Sequence, residues 1–304
     1  MKILIIFLLF SLGVFSQPLQ VSSPLRFLAL GDSYTVGENL SANQSWPAQL
    51  MDSLAARNVV IDTMRIIART GWRTDNLINA ITNQQLEKQS YNLVSVLIGA
   101  NHVYQNTPLG KYMIEFPQLL DSAIRFAGGD TSRVFIVSIP DFAATPLGQR
   151  TCTEAISQNI NQYNRINKNF ANQYHIRYFD VTPISRFGIY KPYLVADDEL
   201  HPSAYQYAAW VKLLLTDDLK AVLQDFEDKE MLVYPNSVID RITISYPLRI
   251  NKTVEVYNSI GNLMLTQEMN TETTVLQLID LNQGIYTIRL IYKGGQISKK
   301  IIKQ

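Results

Sequence analysis

The sequence predicts an α/β domain built on a parallel sheet covered by helices on both faces, followed by a small all-β sandwich. Three observations predict it. Apolar strand-like runs alternate with amphipathic helical stretches up to about residue 225. Two of those runs, Arg26–Leu30 and 93–99, lead straight into a glycine-bearing turn. Beyond residue 226 the pattern changes to short alternating runs separated by turn residues.

Each element follows from its own pattern. Arg26–Leu30 reads as a buried strand, and "SWPAQLMDSLAARN" (45–58) has helical spacing that ends at Asn58. A strand over 59–68 precedes a helix over 74–88, with Thr74 as the expected N-cap. The apolar run 93–99 is the next strand, and a helix near 111–127 leads to a strand over 133–140. A helix around 153–172 precedes the strand 176–181, and one long helix is expected over 203–224. The organisation is therefore a domain over 25–225, a charged linker at 226–230 and a β domain over 231–304. In parallel α/β sheets, ligands bind beyond the carboxyl ends of the strands, where Ser33 falls.

Composition narrows the function classes. The 304 residues include 47% hydrophobic side chains, enough to bury a core, and the formal net charge is only +1. No run of Lys or Arg suggests a nucleic-acid surface. A single cysteine excludes an intrachain disulfide and a multi-cysteine zinc site, and the three histidines lack ligand spacing. Neither a metal nor a cofactor is expected.

The first 16 residues, "MKILIIFLLFSLGVFS", place one lysine before an apolar run with small residues at its end. They read as a secretory signal peptide, with Val14 and Ser16 at the cleavage positions and Gln17 starting the mature chain. No cysteine follows, so no lipid anchor is expected, and no other segment is apolar enough to span a membrane.

The stretch "LALGDSYTVGE" (28–38) admits two readings: a tight turn, or a serine nucleophile presented at a strand end. The second requires a base, a carboxylate and donors for a developing oxyanion. His201 in "ADDELHPS" has Asp198 three residues before it, so both can face the same way across one turn; adjacent Asp197 is the other candidate. His175 opens a strand, and His102 has no carboxylate near it in sequence. The backbone N–H of Ser33, Gly71 in "ARTGWRT" and the side-chain amide of Asn101 in "IGAN" supply candidate donors. Each residue alone is adequately explained as a loop residue. Together they converge on one sheet edge.

Gly31-Asp32-Ser33-Tyr34-Thr35, Gly71, Gly99-x-Asn101 and Asp198-x-x-His201-Pro202 resemble, in order, the four blocks of the SGNH (GDSL-type) hydrolases. The resemblance spans about 25–225 and implies a flavodoxin-like three-layer α/β/α fold with a parallel sheet. It also implies ester hydrolysis through an acyl-enzyme. Ser33 would be nucleophile, His201 general base and acid, and Asp198 its orienter, with Ser33, Gly71 and Asn101 forming the oxyanion hole. His102 stands where the family pattern has Asp, and is expected to touch substrate. Phe142, in "IPDFAATPLG", is the expected apolar contact.

The C-terminal motifs "VYPNSVIDRITI", "VEVYNSIGNLMLTQ", "LIDLNQGIYTIRL" and "SKKIIKQ" resemble the type A sorting domain of the type IX secretion system. That implies Sec export, engagement of the type IX machinery and release or attachment at the surface of a Gram-negative bacterium. A carbohydrate-binding β-sandwich is the competing reading of this module. Together the features lead to a secreted ester hydrolase acting on an acylated glycan or lipid ester, expected as a monomer. The alternative is a non-catalytic surface-binding protein on a retained hydrolase fold.

Overall fold

The computed structural model describes residues 18–84, 86, 91–151, 153–226, 231–235, 237–246, 251–293 and 295–304. The expected signal peptide and linker residues 227–230 lie outside the described residues.

Five short parallel strands form the first sheet: β1 (Leu25–Gly31), β2 (Ile61–Ala68), β3 (Leu93–Leu97), β4 (Val134–Val137) and β5 (Arg177–Phe179). Their order is β2-β1-β3-β4-β5. That is the flavodoxin-like order, whose direction reverses between β1 and β3. Every residue of β3 and β4 is buried, as a strand covered on both faces requires. The outer strand β2 instead carries Asp62 and Arg65 on a largely exposed run, which discourages further strand pairing.

The helices are α1 (Ser33–Val36), α2 (Trp46–Ala55), α3 (Thr74–Asn83), α4 (Ala100–Tyr104), α5 (Leu109–Phe126), α6 (Thr153–Tyr174), α7 (Thr182–Ser185), α8 (Ala204–Thr216) and α9 (Leu219–Gln224). Helices α3, α5 and α6 pack side by side, while α2 packs on α8. Right-handed crossovers put these two groups on opposite faces of the sheet. Phe27 stacks on Phe135 at 6.3 Å, and Trp46 meets both rings edge-on. Full burial of such a ring stabilises the fold by about 1.5–3 kcal/mol.

Several helix boundaries depart from the sequence pattern: the helix expected over 45–58 ends at Ala55, and the one expected over 74–88 ends at Asn83, with residues 85 and 87–88 outside the described residues. The expected helix 203–224 is divided into α8 and α9, because Asp217 adopts a left-handed φ of 52° and Asp218 caps the next helix by accepting from Ala221 N–H. Thr74 is the first residue of α3 rather than its cap. Its hydroxyl is drawn to His102 and Glu115, and Arg73 holds the cap position.

The C-terminal region contains β6 (Leu232–Tyr234), β7 (Ser237–Val238), β8 (Arg241–Ser245), β9 (Lys252–Asn258), β10 (Leu263–Met269), β11 (Thr273–Gln277), β12 (Gly284–Tyr292) and β13 (Gly295–Lys303). One sheet runs β10-β9-β12-β13-β7 and the other β11-β8-β6, with antiparallel pairing throughout except between β13 and β7. Alternation places Val254, Val256, Ile288 and Leu290 of one sheet in the same core as Ile242, Ile244 and Leu276 of the other.

Candidate active site

The turn after β1 is shaped by close packing. A Cβ on Gly31 would lie 2.1 Å from Thr35 Oγ1 and 2.6 Å from the Leu97 carbonyl oxygen, so no side chain fits there. Asp32 then caps α1 by accepting the Tyr34 N–H at 3.1 Å. This leaves Ser33 as the first helical residue, just past the carboxyl end of β1 and beside the switch point between β1 and β3.

His201 arrives from the loop between the short bridge residues Val195 and Pro202, whose pairing closes the loop on itself. The His201 carbonyl accepts from Ala196 N–H at 2.8 Å, and Glu199 takes a left-handed φ of 62°. In this fold His201 Nε2 lies 2.9 Å from Ser33 Oγ, and Nδ1 lies 2.7 Å from Asp198 Oδ2. The other Asp198 oxygen accepts from the backbone N–H of Leu200 and His201. Burial pushes the Asp198 carboxyl up, but these bonds to His201 and Leu200 prevail and hold it below the usual carboxylate range. An ionised Asp198 fixes the proton on Nδ1 and leaves Nε2 free to take one from Ser33. Asp197 points away: its side chain is 91% exposed and pairs with Lys293 of the β domain at 2.7 Å.

The donor loops meet on the same side. Gly71 has φ of 83°, a conformation that favours glycine. Asn101 sits on α4, just beyond β3, and its amide donates to the Trp72 carbonyl at 3.0 Å. Ser33, Gly71, Asn101 and His201 all line one cavity of about 280 Å³. Its remaining wall includes Tyr34, Ala100, Tyr104, Phe142 and Leu200. Phe142 thus lies where a substrate contact was expected, edge-on to Tyr104 at 6.1 Å.

His102 does not line this cavity, which corrects its expected substrate contact. Its side chain is fully buried, because adjacent helical residues diverge by about 100° and Asn101 already faces the cavity. Tyr104 was not singled out in the sequence although it shares the Asn101 face at a spacing of three residues, a usable signal. Asp32 is also fully buried, and burial raises its pKa from 3.8 to about 7 against the pull of its backbone hydrogen bonds. A larger open groove of about 790 Å³ beside α6 is lined by amides and charges such as Gln162, Arg165 and Lys168, with no Ser or His.

Among the described residues, no group of three or more His, Cys, Asp or Glu could hold a metal ion, and no helix is long and apolar enough to cross a membrane.

Comparison with known proteins identifies the family of each half of the chain. The profile of the GDSL-like lipase/acylhydrolase family matches residues 29–209, which include both Ser33 and His201. The secretion system C-terminal sorting domain matches residues 232–304. No curated protein matches the chain. Solved structures that resemble it include TesA, at 18% identity and TM-score 0.48, covering 65% of this chain and 99% of that one. An acetylxylan esterase from Geobacillus stearothermophilus aligns at 18% identity and TM-score 0.47, covering 69% and 97% of the two chains. A lipase/acylhydrolase from Enterococcus faecalis aligns at 17% identity and TM-score 0.48, covering 64% and 95%. The chain belongs to the GDSL-like lipase/acylhydrolase family and carries a secretion-system sorting domain at its C-terminal end.

Proposed function

We propose that the chain is a secreted serine ester hydrolase that works through an acyl-enzyme on an acylated glycan or lipid ester. The observation that carries the reading is the continuous contact from Ser33 Oγ through the His201 imidazole to Asp198. Ser33 Oγ attacks the ester carbonyl as its proton passes to His201 Nε2, while Asp198 stabilises the imidazolium through Nδ1. The Ser33 N–H, Gly71 N–H and Asn101 amide meet the oxyanion of the tetrahedral intermediate. His201 then delivers the proton to the departing alcohol oxygen as the C–O bond breaks. Water, deprotonated by the same nitrogen, attacks the acyl-enzyme and releases the acid and free Ser33.

The volume of about 280 Å³ and the wall of Tyr104, Phe142 and Leu200 support a short acyl group rather than a long chain. The sorting domain supports a secreted or cell-surface location reached by type IX secretion. With the residue 1–16 leader as a Sec signal, the route runs through the periplasm of a Gram-negative cell.

The test is turnover across acetyl-sugar, short-chain, long-chain and thioester substrates. Ser33→Ala and His201→Ala should each lower kcat by about a thousandfold or more while the folded state persists by circular dichroism. Hydrolysis retained in either variant would mean that the nucleophile or base is misassigned. No hydrolysis by the wild type of any ester would favour the non-catalytic binding reading.

A further inference from the structure

Asn101 and Gly71 stand on different elements, so an oxyanion site made from both needs something to hold the Gly71 loop against α4. Five hydrogen bonds make that seam: two join side chains, Arg73 to the Gln105 amide oxygen and the Thr74 hydroxyl with His102 Nε2 at 2.8 Å, and three hold the loop backbone. Asn101 donates to the Trp72 carbonyl at 3.0 Å, Gln105 donates to the Gly71 carbonyl at 3.0 Å, and Thr74 N–H donates to His102 Nε2 at 3.1 Å. Asn101 is only part-buried and the Gln105 bond is solvent-exposed, whereas the His102 bond is buried. Water competes for the first two and not for the third. The buried bond is therefore the one whose loss leaves a backbone donor without any acceptor.

We propose that His102 is a positioning residue of the oxyanion site: its uncharged imidazole accepts the Thr74 N–H and so holds the Gly71 loop in register with Asn101. This rests on the assignment of Gly71 and Asn101 as oxyanion donors. The ring is fixed from behind by Tyr112 at 5.1 Å, edge-on, and by Tyr163 at 6.1 Å. The charged groups around it are Arg73 and Asp75 on the Gly71-loop side and Lys111 and Glu115 on α5. Burial first, with Arg73 and Lys111 prevailing over Asp75, lowers its pKa from 6.5 to about 4. The ring is thus uncharged at neutral pH, and the tautomer this inference requires carries its proton on Nδ1, a buried atom with no hydrogen-bond partner, so that Nε2 accepts. A cation there would turn a donor toward the Thr74 N–H and open the seam.

A histidine that merely fills space predicts something different from one that accepts this bond. The test measures kcat and KM on p-nitrophenyl acetate for four variants, with thermal unfolding as the control on folding. His102→Leu removes the acceptor, whereas His102→Gln can place an amide oxygen near the Nε2 position. Thr74→Pro removes the donor itself at the first residue of a helix, where proline is tolerated and the extended Arg73 (φ −100°, ψ −179°) is compatible with it. Thr74→Val keeps the N–H and removes only the hydroxyl contacts to His102 and Glu115.

His102→Leu and Thr74→Pro should lower kcat by about ten- to a hundredfold with KM changed less than about threefold, as expected when a transition-state donor is displaced. His102→Gln and Thr74→Val should stay within about threefold of wild type in kcat. A folded His102→Leu or Thr74→Pro with wild-type kcat would overturn the inference, as would His102→Gln falling as far as His102→Leu. Those results would leave the esterase reading intact if the wild type still turned over. A wild type inert toward esters and toward serine-directed phosphonates would remove that reading and this inference together.

Discussion

The two halves of the chain bury different things. The sandwich core is Val254, Val256, Ile288, Leu290 and their neighbours, and the buried polar side chains there, among the described residues, are Lys252 and Lys303. The α/β domain buries Asp32, Ser33, Thr74, His102, Asp141, Asn164 and His201 as well as its apolar core. Burying a polar group without a partner costs free energy, so its presence has to be matched by hydrogen bonds or reflected in a shifted pKa. Most of these groups are tied into loops at the carboxyl ends of the strands. Asn164 clamps the backbone of Ile139 from both sides, and Asp141 is held by Ser157 and Arg186. The α/β half thus uses its interior to fix loops as well as to pack, while the interior of the β half holds two sheets together.

The halves touch where the contrast is sharpest. Lys293, in the turn after β12, pairs with Asp197 and reaches the Val195 carbonyl, one residue away from the carboxylate that serves His201. The two neighbouring aspartates should differ most in their effect on turnover. Asp198→Asn should lower kcat by about a hundredfold or more, since it loses the charge that stabilises the imidazolium and fixes its tautomer. Asp197→Asn should stay within about twofold, because an exposed ion pair contributes little. Steady-state kinetics on one ester decides between them, and equal losses would mean that the sandwich contact takes part in the chemistry.

A smaller effect sharpens the point about buried polar groups. The folded Asp32 carboxyl keeps its proton up to about pH 7, whereas the unfolded one releases it near 3.8. Folding therefore takes up a proton at Asp32 in this window, so the Asp32 contribution to stability falls as pH rises from about 4 to about 7, opposite in sign to that of the buried His102. The stability of Asp32→Asn relative to wild type, measured by urea unfolding, should therefore rise between pH 4.5 and pH 7.5. A difference that does not change with pH would mean that Asp32 is ionised in the fold across this range.

The alternation of apolar runs and helical stretches was legible because a doubly covered parallel sheet leaves near-continuous Val/Leu runs such as 93–97, broken only by Ser95. Ser33, Asp198 and His201 stood out because few residue types can do this chemistry and the chain has only three histidines. His102 was misread because sequence gives neighbours but not directions. It follows Asn101 directly, yet the helical step turns it from the cavity into the Thr74 seam. The short α4 that performs this turn is only five residues, too brief to leave a periodic pattern. The division at Asp217 was hidden for the opposite reason: apolar spacing continues across it, and only the left-handed backbone interrupts the helix.

The central claim is that Ser33 is a nucleophile made reactive by His201. Incubating the secreted protein with a fluorophosphonate, followed by peptide mapping, tests it most directly. The account predicts one covalent adduct, on Ser33, formed in the wild type and lost in both Ser33→Ala and His201→Ala. A folded wild type without that adduct, or with the same labelling rate in His201→Ala, would contradict it.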